Sequence, residues 1–258
     1  MIASGDYLPG DYYKTKRQDY HDVELRGIFN FTDNSNTVFG TDYRYETLDR
    51  PESDLNKGLG TFSVYGQHEQ RLAGHLTLLA GLRYDLHQEI GSRLTPKVAL
   101  MYNKGNFNAR ATYAAGYRTP GIDELYYHML KPMGSRHIIT FGNRDLKAEN
   151  SNFGSINVEY RTSRLTVSLT GYLNFVKNMV TSRSTKFSAM SESEQAALIA
   201  EFPEINDIKT STLSVKEYYN FSKATVKGIE ANLSFNPIVG LTLSANYSYA
   251  YGRGLNDD

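Results

Sequence analysis

The sequence predicts an all-β protein, an antiparallel transmembrane β-barrel to which this chain supplies about ten strands. Apolar and polar residues alternate with a period of two in ten segments. The connections between those segments are alternately short and long, as in outer-membrane barrels whose tight turns share one rim and whose loops share the other. No window approaches the ~18 uninterrupted apolar residues of a membrane-spanning helix. The richest run, from Leu76 to Leu82, is already broken by Thr77.

Composition narrows the function. The 258 residues carry 28 basic and 28 acidic side chains, which removes the cationic excess expected of a protein that grips nucleic acid through its phosphates. With no cysteine, thiol catalysis and thiolate metal sites are closed. Twenty Tyr and 12 Phe in an otherwise polar chain suit strands with one wet face. Residues 1–10 lack the basic and apolar regions of an export signal, so the expectation is a partial chain.

In chain order, the first three strands are expected at 22–31, 37–46 and 59–70. The fourth, 75–86, sets Leu76, Leu78, Ala80, Leu82, Tyr84 and Leu86 on one face against Thr77, Arg83 and Asp85 on the other. After 94–103, the segment 106–118 repeats this pattern, with Phe107 to Tyr117 opposite Asn106, Asn108, Arg110 and Thr112. Strands at 153–161, 165–175 and 225–235 follow. The last, 241–251, alternates Leu241, Leu243, Ala245, Tyr247, Tyr249 and Tyr251 with small polar residues. Short turns are expected at 32–36, 71–74, 104–105, 162–163 and 236–240, and longer loops at 47–58, 87–93, 119–152 and 176–224.

The apolar stripes would then face lipid, while Arg110, Thr112, Asn246 and Ser248 would line a water-filled or plugged interior. Tyr117 and the Tyr247, Tyr249, Tyr251 series are expected in an aromatic girdle near the long-loop rim. A soluble β-sandwich, the alternative, would bury these same aromatics. Within 176–224, Ser191 and Glu194 have the spacing of a capping box, predicting a short helix that is either a lid or a loop ornament.

Three stretches resemble TonB-dependent outer-membrane receptors. Gly116-Tyr117-Arg118-Thr119-Pro120, followed by Asp123-Glu124-Leu125, is similar to that family's Gly-aromatic-Arg-x-Pro strand end and Glu-Leu. Asn143-Arg144-Asp145-Leu146-Lys147-Ala148-Glu149 resembles its Asn-Pro-Asp-Leu-Lys-Pro-Glu segment, with Arg144 and Ala148 in place of the prolines. The run from Ala224 through Gly228 to Glu230 is similar to its Val-x-Gly-hydrophobic-Glu strand opening. All three occur in family order. The motif positions are thus Gly116, Arg118, Pro120, Glu124, Leu125, Asn143, Asp145, Leu146, Glu149, Gly228 and Glu230.

The resemblance implies a barrel of about 22 strands, of which residues 1–258 are an internal part. Neither a plug domain, an energy-coupling box nor a closing aromatic strand is recognisable, and a further loop is expected to begin at Asn256, Asp257 and Asp258. It also implies the outer membrane of a Gram-negative bacterium, and lipid, a scarce solute such as a ferric siderophore, and the TonB coupling protein, acting through the plug, as partners. No catalytic residue, cofactor or resident metal is implied.

Two sets of side chains are candidates for function. Arg118 and Glu124 are expected to fix a loop to the rim by a charge-assisted hydrogen bond, the alternative being a solvated pair worth under ~1 kcal/mol. Tyr126, Tyr127, His128, Arg136, His137 and Phe141 offer the aromatic and basic groups that would hold an anionic, ring-bearing chelate. Two His nine positions apart on a loop, with no carboxylate at a telling spacing, do not argue for a metal site. The rival reading is a self-contained ten-stranded outer-membrane barrel protease using Asp85, His87, Asp123 and His128, in which the three receptor motifs have no place.

Overall fold

The computed structural model describes residues 15–255, so the expectations about 1–10 and 256–258 lie outside the described residues. Strands β1 (Arg17–Thr32), β2 (Ser35–Arg50), β3 (Leu55–Ala73), β4 (Leu76–His87), β5 (Gly91–Lys104) and β6 (Phe107–Arg118) form an antiparallel meander. After helix α1 (Ile122–Tyr126) and the short strands β7 (His128–Met133) and β8 (Arg136–Phe141), β9 (Glu149–Arg161) pairs with β6 and continues the meander. It runs on through β10 (Leu165–Lys186), β11 (Leu213–Ile238) and β12 (Leu241–Leu255), with α2 (Glu192–Glu201) between β10 and β11. Every expected strand is present. Among the described residues, β1 and β12 each pair with a single neighbour, so the sheet is open at both sides.

Register shows how the alternation becomes two faces. One row runs Leu76, Tyr102, Ala109, Val158, Leu169, Ala231 and Tyr247 across seven adjacent strands. The neighbouring row, on the other face, runs Thr77, Met101, Arg110, Asn157, Thr170, Glu230 and Ser248. Leu169 is 53% and Tyr247 63% exposed, and exposed apolar residues recur on every strand of the meander. A continuous apolar surface of this extent is tolerated where hydrocarbon replaces water. On the polar face, Asn157 donates to the Thr170 hydroxyl at 2.8 Å, as a wet interior requires.

Three features differ from the sequence expectation. β10 and β11 continue far beyond the membrane-facing stripe, so the loop expected at 176–224 shrinks to 187–212. The apolar residues of those extensions, Val180, Leu213 and Val215, pack against the rim loops and form no continuous outward stripe, so the alternation that marks the other strands is lost there. The loop at 119–152 holds the β7–β8 hairpin, and β8 pairs in parallel with the start of β11, from Leu213 opposite His137 to Glu217 opposite Phe141. Finally, Tyr117 does not join the outward girdle: it lines an inner cavity with Asp85. β5 pairs with β6 only as far as Lys97 and Ala114, which leaves the upper end of β6 free to turn inward.

The packed cores sit at the outer rim, not between the faces of the sheet. One gathers Leu48, Leu55 and Leu59 from the tops of β2 and β3 with Ile122, Leu125 and Leu146 from the loops. The other joins Ile139, Leu213 and Val215 to Phe187, Leu198 and Ile205, seating α2 against β8 and β11. As the Ser191–Glu194 spacing predicts, the α2 N-terminus is closed by a capping box, with Ser191 N donating to Glu194 Oε2 at 2.8 Å.

Candidate ligand-binding rim

The rim is built from the motif residues upward. Arg118, the last residue of β6, donates through Nη1 to Glu124 Oε2 at 2.9 Å and through Nη2 to Glu149 Oε1 at 2.7 Å. Glu124 also accepts from Gly121 N at 2.8 Å, and Glu149 from Val180 N at 2.8 Å. One guanidinium therefore ties the end of β6 to α1, to the start of β9 and, through Glu149, to β10. Hydrogen bonding to Glu149 and then to Glu124 raises the Arg118 pKa above its ordinary value although burial opposes it, so the cation persists at any physiological pH.

Behind this network the loop is clamped by its backbone. Asn143 N donates to Glu124 O at 2.8 Å, and Gly142 N donates to Tyr127 O at 2.5 Å. A Cβ at Gly142 would lie 2.6 Å from backbone atoms of Leu125, Tyr126 and Tyr127, so only glycine fits this close approach. Asn143 donates to Tyr218 O at 3.1 Å and accepts from Asp145 N at 2.9 Å, a turn that delivers buried Leu146 to the first core. Pro120 is buried as well. Gly116 and Gly228 serve close packing: a Cβ would meet Ser151 Oγ at 2.9 Å in the first case and the Tyr172 hydroxyl at 2.5 Å in the second. Glu230 lies exposed on the polar face, opposite Thr170 and Ser248.

The six aromatic and basic candidates divide into separate groups. Tyr126 lies between two cations, with Lys57 Nζ 5.4 Å and the Arg144 guanidinium 5.3 Å from its ring centroid, and donates to Glu89 at 2.7 Å. Tyr127 lies under Arg50, 5.0 Å from the ring, whose Nη1 also donates to the phenol oxygen at 2.5 Å. Burial raises both tyrosine pKa values, reinforced by Glu89 at Tyr126 and opposed by Arg50 at Tyr127, so both remain neutral phenols. His128 stacks on Phe202 at 5.1 Å, meets Phe141 edge-on at 5.4 Å and pairs through Nε2 with Glu201 at 2.6 Å, joining β7 to the end of α2. Arg136 and His137 lie toward the opposite end of the hairpin, across from Met133 and Pro132, roughly 15 Å of strand away from His128.

Two open cavities flank this surface. One, of about 490 Å³, is lined by Phe141, Gly142 and Asn143 with Arg183, Glu217, Tyr218 and Tyr219. The other, of about 450 Å³, lies on the polar face below the rim. There Arg83 joins Asp42 at 2.9 Å to Asp85 at 2.8 Å, and buried Ser63 donates to Asp85 at 2.7 Å. Arg50, Lys57 and Glu89, and the partners Asp42 and Ser63 of Arg83 and Asp85, escaped sequence reasoning because nothing local marks them; they meet only through strand register and loop packing.

The residues of the protease reading do not assemble. Asp85 is committed to Ser63 and Arg83. The His87 Nδ1 accepts the backbone N–H groups of Glu89 and Ile90, while Asp123 caps Glu124 N in α1 and His128 engages Glu201. His128 and His137 stand on neighbouring strands, not on an irregular loop, and among the described residues no three His, Asp or Glu side chains cluster so as to hold a metal ion.

Comparison with known proteins accounts for this architecture. Residues 2–258 match the family model described as TonB dependent receptor-like, beta-barrel. The ferric enterobactin receptor of Pseudomonas aeruginosa is 25% identical over 196 residues, covering 73% of this chain and 24% of that protein. The siderophore receptor PirA from Pseudomonas aeruginosa superposes with a TM-score of 0.76 at 20% identity, over 93% of this chain and 44% of that one. The FrpB iron transporter from Neisseria meningitidis gives 0.65 at 14% identity, over 93% and 36%. This chain thus spans about a quarter of the curated relative and under half of either solved chain. These relatives are receptors and transporters, not enzymes. By the match along nearly its whole length, the chain belongs to the TonB-dependent receptor family, and its sheet is part of that family's β-barrel.

Proposed function

We propose that this chain forms part of the wall and outer rim of a Gram-negative outer-membrane receptor that takes up a scarce, bulky solute, most simply a ferric siderophore. Energy would come from the TonB coupling protein acting on a plug seated against the polar face. The observation that carries this reading is the ordered rim: Arg118, Glu124 and Glu149 fold the loops onto a core of their own, and Tyr126 is presented there between Lys57 and Arg144. Aromatic and cationic groups held this way suit an anionic, ring-bearing chelate. The names of the relatives, a ferric enterobactin receptor and a siderophore receptor, support the same ligand class.

The test is growth of the source bacterium under iron limitation with single ferric siderophores as the iron supply. Deleting the complete receptor gene should abolish growth on at least one of them, as should loss of the coupling protein, and the intact gene should restore it. Unchanged growth on every siderophore supplied would refute the proposal.

A further inference from the structure

From two orphaned polar atoms beside Tyr117 we infer that the cavity on the polar face below the rim is a binding site for a neutral, hydroxyl-bearing ring of hexose size, free or as part of a larger solute. The cavity holds about 450 Å³, within the range of small-molecule pockets. It lies at the outer ends of β4 and β6, around Asp85 and Tyr117, roughly 30 Å along β4 from the short turn before Leu76. That is the end of the wall from which a solute arrives.

The charge of the cavity argues against an ionic guest. Three carboxylates, Asp42, Glu46 and Asp85, are matched by three guanidiniums, Arg44, Arg83 and Arg118. Every one is engaged: Arg83 with Asp42 and Asp85, Arg44 with Asp22 at 2.7 Å, Arg118 with Glu124 and Glu149, and Glu46 with the Gln18 amide at 2.7 Å. A charged guest would have to compete with these pairs, and a neutral one would not.

What remains is hydrogen-bonding capacity. Asp85, 2% exposed, lines the cavity; its Oδ1 takes Ser63 and Arg83, whereas its Oδ2 has no hydrogen-bond partner. Tyr117 approaches Asp85, yet its hydroxyl completes no hydrogen bond of ordinary geometry to that oxygen. Directly across the strand pair from Asp85, Arg93 leaves Nε buried without a partner. An open acceptor and an open donor on cross-strand neighbours each cost stability, and a hydroxyl, donor and acceptor at once, answers both. His87 adds a donor: its Nδ1 accepts the N–H groups of Glu89 and Ile90, so the ring carries its hydrogen on Nε2, and it lines the same cavity. Thr61, Thr95 and Thr119 add hydroxyls, and half-buried Tyr117 supplies an aromatic face on which the C–H side of a sugar ring stacks. The inference rests on the polar face lining a solute path, as in the uptake reading, but gives this level of the path a chemistry different from that of the cationic rim above it.

The experiment uses the complete receptor, purified in a detergent without a sugar headgroup, and saturation-transfer NMR with D-glucose, D-galactose and D-mannose as probes. At least one should bind, and D-glucuronate and D-glucosamine, similar rings with a charge, should bind at least about tenfold more weakly. Tyr117→Ala should weaken hexose binding at least about tenfold, and Asp85→Asn comparably. Tyr117→Phe keeps the ring and removes the hydroxyl that competes for Asp85, so it should bind at least as tightly as wild type. Should Asp85→Asn fail to fold, the two Tyr117 variants carry the decision. No binding of any of the three hexoses up to about 100 mM would mean that the receptor itself fills the cavity, and would overturn the inference. Equal binding of glucuronate, or hexose binding unchanged in Tyr117→Ala, would overturn it as well. Growth on ferric siderophores, measured in parallel, depends on the uptake reading alone, so it separates failure of that reading from failure of this inference.

Discussion

Arg118 holds Glu124 with both arms of its guanidinium, Nη1 at 2.9 Å and Nη2 at 3.3 Å from the two carboxylate oxygens. The same Nη2 takes Glu149, so removing one side chain leaves two carboxylates facing each other without their shared cation. Arg118→Ala should therefore loosen the 119–148 loop by about 1–3 kcal/mol, toward the lower figure because Arg118 is half exposed. Protease added to intact cells reads this directly: cleavage in the loop should quicken by about tenfold for each 1.4 kcal/mol. Arg118→Lys restores charge but not the fork, and should fall between the two. An unchanged cleavage rate in Arg118→Ala would show that the network does not hold the loop.

Gly142 offers a sharper test, because its role is steric. Even Gly142→Ala places a methyl 2.6 Å from three backbone atoms of 125–127, and neither side of that contact can yield without breaking the Gly142 N to Tyr127 O bond. The variant should insert as a normal barrel yet lose capture of its solute, since Tyr126 and Tyr127 would no longer be presented by a fixed turn. Wild-type binding in Gly142→Ala would place the ligand elsewhere on the rim.

The membrane-facing part of this fold is written in the sequence and the rim largely is not. Leu76, Leu78 and Leu82 announce β4 because one face meets lipid and the other water, and that asymmetry generates a period of two. Lys177 to Lys186 announce nothing, since they carry no alternating apolar stripe and Val180 packs on the rim core instead, although β10 continues through them. The contact between Arg118 and Glu124 could be expected from six residues' separation and a motif. That of Tyr126 with Lys57, and of His128 with Glu201, spans 69 and 73 residues and depends on packing that no local pattern encodes.

His87 gives the outer turn between β4 and β5 a pH dependence. Its Nδ1 accepts N–H groups from Glu89 and Ile90, both at 3.2 Å, which requires that nitrogen to be unprotonated. Burial lowers the His87 pKa below its ordinary 6.5, with Glu89 and Glu46 opposing. Below 6.5 the unfolded turn thus binds protons that the folded turn excludes, so the stabilisation is complete above that value and is lost as the pH falls toward the folded value. Amide exchange at 88–91 should quicken between pH 7 and 5 beyond the intrinsic trend, and His87→Gln should abolish the excess. Exchange that merely tracks the intrinsic rate would show that the imidazole does not order this turn.

Helix α2 is ten residues long, and a helix of that length is marginal in water without tertiary support. Its support is the second core, where Phe187 is 1% exposed and packs with Leu198 of the helix, Ile139 of β8 and Leu213 and Val215 of β11. Phe187→Ala should remove about 3–5 kcal/mol of local stability, enough to melt α2 and free the His128 contacts with Glu201 and Phe202. Hydrogen exchange should then rise throughout 192–201 and at the β7–β8 hairpin, while β9 to β12 stay protected in their membrane-facing portions by sheet pairing that Phe187 does not touch. Protection of α2 at the wild-type level in Phe187→Ala would mean that the capping box and the Glu201–His128 pair hold the helix without this core.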